Sequence, residues 1–164
     1  MKAYSSDHFS AVMPTPFGKM GIRTQERALR QLVYLPRDYP ELEAVDVVAK
    51  AAVEQIERYL TKPDFRFDLP LMAVGTPFQQ RVWTAIGAIP AGQASTYGEV
   101  ARALRSAPRA VGQACGANWF PLVIPCHRIT AAEGLGGFSN QSDAAGFHVG
   151  VKRWLLAHEG IVGY

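Results

Sequence analysis

The chain has 164 residues, 48% hydrophobic and 19% charged, with no apolar run near the ~20 residues of a membrane span, so disordered, fibrous and helical membrane-spanning classes are excluded. A chain this long buries roughly 70% of its unfolded surface and needs no disulfide or metal to hold a core. Net charge is only +3, but residues 81–128 set five arginines (Arg81, Arg102, Arg105, Arg109, Arg128) against Glu99 alone, a stretch that reads either as solvated surface or as a polyanion contact.

Met1–His8 lacks the apolar core of a signal peptide, and the chain reads as a cytoplasmic protein. Residues 10–36 hold short apolar runs split by turn residues: Ala11-Val12-Met13, Met20-Gly21-Ile22 and Leu32-Val33-Tyr34-Leu35, with Thr15-Pro16-Phe17-Gly18 turning between the first two. This spacing predicts a small antiparallel sheet. Over 42–61 the period changes, and Val45, Val48, Ala52, Ile56 and Tyr59 fall at helical spacing. Phe65, Phe67 and Leu69 then alternate with polar residues, as a short strand would. Residues 70–75 read as a linker, so residues 1–75 form one expected domain and 76–164 a second.

The second domain has well-marked helix starts. Thr76-Pro77-Phe78-Gln79 offers an N-cap, a Pro at the first helical position and a Gln placed for a capping box. Phe78, Val82, Ala85, Ile86 and Ile89 make its buried stripe, and Pro90-Ala91-Gly92 stops it. Thr96-Tyr97-Gly98-Glu99 is another capping box, opening a short helix with Val100, Ala101 and Leu104 inward. Residues 105–107 turn the chain, and Pro108 starts a third helix reaching about Gly116. Two short helices around such a turn match a helix-turn-helix. The third helix is rich in small residues (Ala110, Gly112, Ala114, Gly116, Ala117), which permit close approach to a neighbouring helix or to a nucleic-acid groove. Leu122-Val123-Ile124 is a short buried run ending at Pro125. Residues 131–150 have no clear period and read as a long exposed loop. A last helix is expected over Val151–His158, with Trp154 and Leu155 inward and Gly160 as its C-cap.

Cys126, between Pro125 and His127, is the candidate nucleophile. A thiol with an ordinary pKa of about 8.5 is mostly protonated at neutral pH, so a base is needed beside it. His127 is the obvious base, and Glu159 is placed to orient it, giving a nucleophile–base–orienter relay. Cys115 reads as a small core residue. Two cysteines and four scattered histidines (His8, His127, His148, His158) form no Cys-rich zinc site, so no metal is expected.

Ile124-Pro125-Cys126-His127-Arg128 resembles the active-site motif of the O6-alkylguanine-DNA alkyltransferases. Residues 76–83, Ser95-Thr96-Tyr97-Gly98-Glu99-Val100-Ala101, Arg109-Ala110-Val111-Gly112-Gln113-Ala114, Asn118 and Trp154–Gly160 resemble the other segments of that family in the same order. The resemblance is close over 76–160, and residues 1–75 fit its variable N-terminal domain in outline. It implies an α+β fold: a small scaffold domain with an antiparallel sheet plus a helix, then a mostly helical, winged-helix-like domain with the helix-turn-helix. The implied partner is double-stranded DNA containing O6-alkylguanine, bound from the minor groove with the damaged base flipped out. The alkyl group of O6-alkylguanine, and of O4-alkylthymine, passes irreversibly to Cys126, once per molecule, with no cofactor, membrane or obligate protein partner, and a monomer is expected.

By the same resemblance His127 takes the thiol proton through a water, Glu159 stabilises the imidazolium, and Asn118 braces the turn holding Cys126. Arg109 fills the space left by the flipped base, and the hydroxyl of Tyr97 faces guanine N3. Backbone carbonyls at Cys126 and Ile129 read the exocyclic amine. Ala110, Gly112, Ala114 and Arg128 complete the expected DNA or substrate contacts, with Ser139 in the loop walling the alkyl pocket. An insertion from Asn140 to about Gly150 departs from the family pattern and leaves open which residue donates to guanine O6. Trp119 and Phe120 stand where smaller or imino residues are commoner. Two other readings stay open: a non-catalytic relative that only binds alkyl lesions, although such relatives replace the reactive cysteine, and a Cys/His hydrolase, which needs an oxyanion hole.

Overall fold

A computed structural model of the chain describes residues 8–137 and 146–164. It divides into two compact units, Met1–Ala73 and Val74–Tyr164.

In the first unit, β1 (Ala11–Thr15), β2 (Gly18–Gln25) and β3 (Ala28–Leu35) form an antiparallel sheet in that order. Pro16 and Phe17 turn between β1 and β2. Glu26 and Arg27 close the second hairpin, both in the left-handed region (φ 51° and 65°), which matches the right-handed twist of the flanking strands. The register sets Ile22 opposite Ala11 and Leu32, and all three lie in the core with Met20 and Leu29. Helix α1 (Val47–Thr61) buries Ala49, Ala52, Ile56 and Tyr59. It begins later than the apolar spacing suggests, because the Asp46 carboxylate accepts the Ala49 N–H at 2.8 Å and caps the helix there. Val45 is consequently outside the helix and exposed.

The expected strand over 65–69 does not form. Phe65 and Phe67 pack edge-to-face with centroids 5.5 Å apart, and Phe67 leans on Tyr59 at 5.7 Å. Ring packing, not a hydrogen-bonded ladder, produces the alternation. The ladder contact comes slightly later, where Leu29 donates to the Pro70 carbonyl and accepts from Met72 N–H. Residues 70–72 thus belong to the first unit rather than to a free linker.

In the second unit, α2 (Pro77–Gly87) starts on the Thr76–Gln79 capping box, both of whose hydrogen bonds are made. It buries Val82, Trp83 and Ile86, and the Trp83 indole N–H donates to the Ala114 carbonyl at 2.9 Å. The helix ends at Gly87, so Ile89 lies beyond its stripe. Helix α3 (Tyr97–Leu104) starts on the second capping box, Thr96 with Glu99, and stops at Arg105, whose φ of 55° is left-handed. Helix α4 (Pro108–Gly116) follows after residues 105–107, making the expected corner. β4 (Ser95–Thr96) pairs in parallel with β5 (Ile129–Thr130), which carries the end of the Cys126 turn to the start of α3.

Helix α5 (Phe147–His158) begins a full turn before the expected Val151. Its N-cap is Gly146, which makes no side-chain capping bond and leaves no signal in the sequence. Residues 147–150, read as part of an insertion, are therefore helix, while Asn140 to Ala145 lie outside the described residues. Val149, Val151, Leu155 and Leu156 are buried, each worth about 1.5–3 kcal/mol. Glu159 caps the helix and Gly160 follows at φ 82°. Among the described residues no helix is long and apolar enough to cross a membrane.

Candidate active site around Cys126

The turn before Cys126 is shaped by Asn118. Its Nδ2 donates to the Ile124 carbonyl at 2.8 Å and to Cys126 Sγ at 3.2 Å, while its Oδ1 accepts the Phe120 N–H at 2.8 Å. One amide thereby ties both sides of the loop to the sulfur. The loop needs that tie, because Leu122 sits at φ 75°, a conformation costing on the order of 1–3 kcal/mol for a residue with a Cβ. Burial of Leu122 and Phe120 helps to hold it. Cys126 then opens a single 3-10 turn, Cys126–Arg128, which is buried throughout.

That turn points His127 and Arg128 at the end of α5. His127 Nε2 and Glu159 Oε2 are 2.7 Å apart, and Arg128 reaches the same carboxylate through Nε at 2.8 Å and Nη2 at 3.1 Å. The carboxylate is acceptor-only, so Nε2 carries the ring proton and Nδ1 holds the free lone pair. Nδ1 is buried and has no hydrogen-bond partner among the described residues. Burial pushes the His127 pKa down, against the pull of Glu159, and the neutral ring is favoured. Cys126 moves the other way. The neighbouring Cys115 thiol and burial push its pKa well up, against Asn118 and Lys152. A protonated thiol thus sits next in sequence to a neutral imidazole with an open acceptor, a pairing suited to base-assisted ionisation.

Lys152, on α5, is the residue sequence reasoning missed. It is fully buried, and its ammonium donates to the Gly137 carbonyl at 2.9 Å. Burial pulls its pKa down to about 8, while the thiols of Cys115 and Cys126 hold it up. A lysine one position from an apolar stripe reads as solvent-facing, so nothing in the pattern singled it out. Tyr97 converges on the same carbonyl, its hydroxyl 3.4 Å from Gly137 O. Burial raises the Tyr97 pKa and keeps the hydroxyl a donor. Gly136 adopts φ 74°, and a Cβ there would come within 3.2 Å of the Tyr97 ring and 3.1 Å of Ala131 N, so only glycine fits.

The other expected site residues divide. Arg109 is exposed near the start of α4, and Ala110 and Gly112 are half-buried on the same helix, Gly112 beside the Tyr97 ring. Ala114 is a correction: it is buried, with its carbonyl taken by Trp83, and its methyl is a core group rather than a groove contact. Arg128 is another, since its guanidinium is engaged by Glu159 and by the Ile89 carbonyl at 2.6 Å, leaving it a brace within the fold. The Ile129 side chain is fully buried, so only its backbone is left to meet a ligand. Ser139 lies outside the described residues. Trp119 is exposed and Phe120 buried. Cys115, in the last turn of α4, is half-buried. Among the described residues no cluster of metal-ligating side chains occurs.

The family profile described as 6-O-methylguanine DNA methyltransferase, DNA binding domain, matches residues 77–161. The chain belongs to the O6-methylguanine-DNA methyltransferase family. The constitutive methylated-DNA–protein-cysteine methyltransferase of Bacillus subtilis is 34% identical over 158 residues, covering 90% of this chain and 92% of that protein. A Thermus thermophilus relative named DNA base-flipping protein is 37% identical over 153 residues, covering 90% and 97%. Among solved structures, the O6-methylguanine methyltransferase of Mycobacterium tuberculosis superposes with a TM-score of 0.76 at 32% identity, covering 93% of each chain. A structure of that organism's protein in complex with DNA gives a TM-score of 0.74 at 34% identity over 90% of each. In this family member the profile match runs from the start of α2 to two residues past the α5 cap and takes in every site residue named above.

Proposed function

We propose that the chain repairs DNA by direct reversal, taking the alkyl group of O6-alkylguanine, or of O4-alkylthymine, in duplex DNA onto Cys126 Sγ in one irreversible step. The observation that carries this is the buried His127 Nδ1, without a hydrogen-bond partner among the described residues, on a ring whose other nitrogen is held by Glu159 at 2.7 Å, following the Cys126 thiol directly in the chain. His127 Nδ1 takes the thiol proton through a water, and Glu159 stabilises the imidazolium formed. Such base assistance contributes about 10²–10⁴-fold. The thiolate attacks the alkyl carbon, the carbon–O6 bond breaks, and the guanine leaves with its charge met by protonation, with the Tyr97 hydroxyl as donor at N3. The thioether product has no leaving group the site can activate, so each molecule acts once.

The lesion lies inside the base stack and must be flipped out to reach a buried sulfur. Arg109, exposed on α4, supplies a planar cation to occupy the vacated space, and Ala110 and Gly112 leave that helix thin enough for the minor groove. The reading includes a cytoplasmic monomer that needs no cofactor and no protein partner, and residues 1–75 as a scaffold for the DNA-binding domain.

A relative named for base flipping keeps a second reading in play, recognition of the lesion without transfer. Incubation with a methylated duplex followed by intact-mass measurement tests both. One methyl retained per molecule, with no further turnover, supports transfer. Tight binding with unchanged mass supports recognition alone, and ester or amide turnover would favour a hydrolase.

A further inference from the structure

Two donors share the Gly137 carbonyl, and they hold it unequally. The Lys152 ammonium, from α5, donates at 2.9 Å, an ordinary length for a charged N–H donor. The Tyr97 hydroxyl, from α3, stands at 3.4 Å, well beyond the roughly 2.7–2.8 Å usual for O–H···O. The ring behind that hydroxyl is closely seated. A Cβ at Gly136 would come within 3.2 Å of one edge and a Cβ at Gly112 within 3.9 Å of the other, and the Lys152 ammonium lies 5.8 Å from the ring centroid, within cation–π range. Packing thus fixes the ring and leaves its hydroxyl loosely tied. Tyr97 is half-buried, so a ligand can reach that hydroxyl, whereas Lys152 is fully buried. Burial works against the lysine's charge, a cost that a solvent-facing lysine would avoid.

We propose that Lys152 is a positioning residue: it holds the Gly137 carbonyl so that the Tyr97 hydroxyl can leave that carbonyl and donate to the flipped base. This rests on the function proposed above, in which the same hydroxyl meets guanine N3. A carbonyl stripped of its donor away from water is costly, so a hydroxyl that was its one partner would be held back. With the ammonium in place the carbonyl stays satisfied, and turning the hydroxyl to N3 exchanges a long hydrogen bond for a short one. As the carbon–O6 bond breaks, negative charge builds on the guanine and strengthens the bond from Tyr97, so the gain falls in the transition state. Without Lys152, the hydroxyl becomes the carbonyl's donor among the described residues, their bond shortens, and release costs more. Lys152 acts here through Gly137 and Tyr97 and makes no bond to the base.

The test uses the full chain. Single-turnover methyl transfer from a duplex bearing O6-methylguanine is measured for the parent protein, Lys152→Met, Tyr97→Phe and the double variant. Tyr97→Phe should slow transfer about 10- to 100-fold and Lys152→Met about 5- to 20-fold, with duplex affinity within about twofold in each. In the Tyr97→Phe background Lys152→Met should add less than about twofold, because the hydroxyl it would free is gone. A lysine that only supported the fold would slow both backgrounds alike, and that result would overturn the proposal. Two crystal structures read the same idea without rates. In DNA-free Lys152→Met the Tyr97 hydroxyl should close on the Gly137 carbonyl from 3.4 Å to about 2.8 Å. In Cys126→Ser bound to the same duplex, with Lys152 intact, the hydroxyl should reach guanine N3 while Lys152 stays on Gly137. An unmoved hydroxyl in the first, or Tyr97 still on Gly137 or Lys152 gone from it in the second, would also overturn the proposal, the second whether or not Lys152→Met folds. A parent protein that leaves Cys126 unmethylated would defeat the proposed function and this inference together; a parent that accepts methyl while the two losses multiply would defeat this inference alone.

Discussion

Glu159→Gln isolates the charge that organises the site. The Glu159 carboxylate accepts from His127 Nε2 at 2.7 Å and from two Arg128 nitrogens at 2.8 and 3.1 Å, and its side chain is fully buried. Glutamine keeps the shape but supplies one acceptor oxygen, and turns an NH₂ group toward donors already there. Removing one partner of a buried ion pair costs about 3–5 kcal/mol, because the arginine stays buried without its counter-charge. For a chain of this size, that cost corresponds to a fall in melting temperature of roughly 6–20 °C. Transfer should suffer separately. A hydrogen bond to a charged group is worth about 1.5–3 kcal/mol, and if that support is felt only as the imidazolium forms, the rate falls about 10- to 150-fold. Thermal unfolding and single-turnover transfer of radiolabelled methyl from a duplex, both at pH 7.5, read the two effects. Guanine analogues with better leaving groups should narrow the rate deficit, since they demand less of the thiolate. A variant that melts with the parent protein and transfers at the parent rate would refute the role given to this carboxylate.

Other substitutions probe other parts of the argument. Asn118→Ala removes the ties to Ile124, Phe120 and Cys126, and is expected to destabilise by about 1–3 kcal/mol in urea melts, with slower transfer from a less defined sulfur position. Lys152→Met should stabilise the fold near pH 7 by on the order of 2–3 kcal/mol, since the native pKa of about 8 lies below the ordinary 10.5 and marks a cost of burying the charge. Between those two values the unfolded chain binds more protons than the native one, so stability of the parent protein should rise with pH relative to the variant and close the gap. A constant gap between pH 7 and 10 would contradict the assignment. Arg109→Ala should slow repair in duplex by about 10- to 100-fold yet leave reaction with free alkylated guanine within twofold, because only the duplex has a stack to hold open; equal losses would remove the flipping role.

Legibility in sequence followed the range of the interactions. Thr76 with Gln79, and Thr96 with Glu99, announce their helices because a capping box is a four-residue event, and both boxes form. The start of α5 gave no such notice, since Gly146 caps it with backbone alone. Phe65 and Phe67 alternate like a strand, but the force producing the alternation is ring packing on Tyr59. In the site, the order Cys126-His127 with Glu159 downstream could be read as a relay because residue types carry that chemistry. Arg128 could not be read as a brace, because its partners Ile89 and Glu159 lie 39 and 31 residues away. The same holds for the burial of Lys152, which tertiary packing decides and no local period encodes.

The most direct measurement is a peptide map of the protein after exposure to a duplex bearing one O6-methylguanine. The account predicts a single added methyl, about 14 Da, on the peptide carrying Cys126, at one equivalent per molecule, and none in Cys126→Ala despite retained DNA binding. Methyl found on Cys115, or an unmodified Cys126 beside repaired DNA, would contradict it.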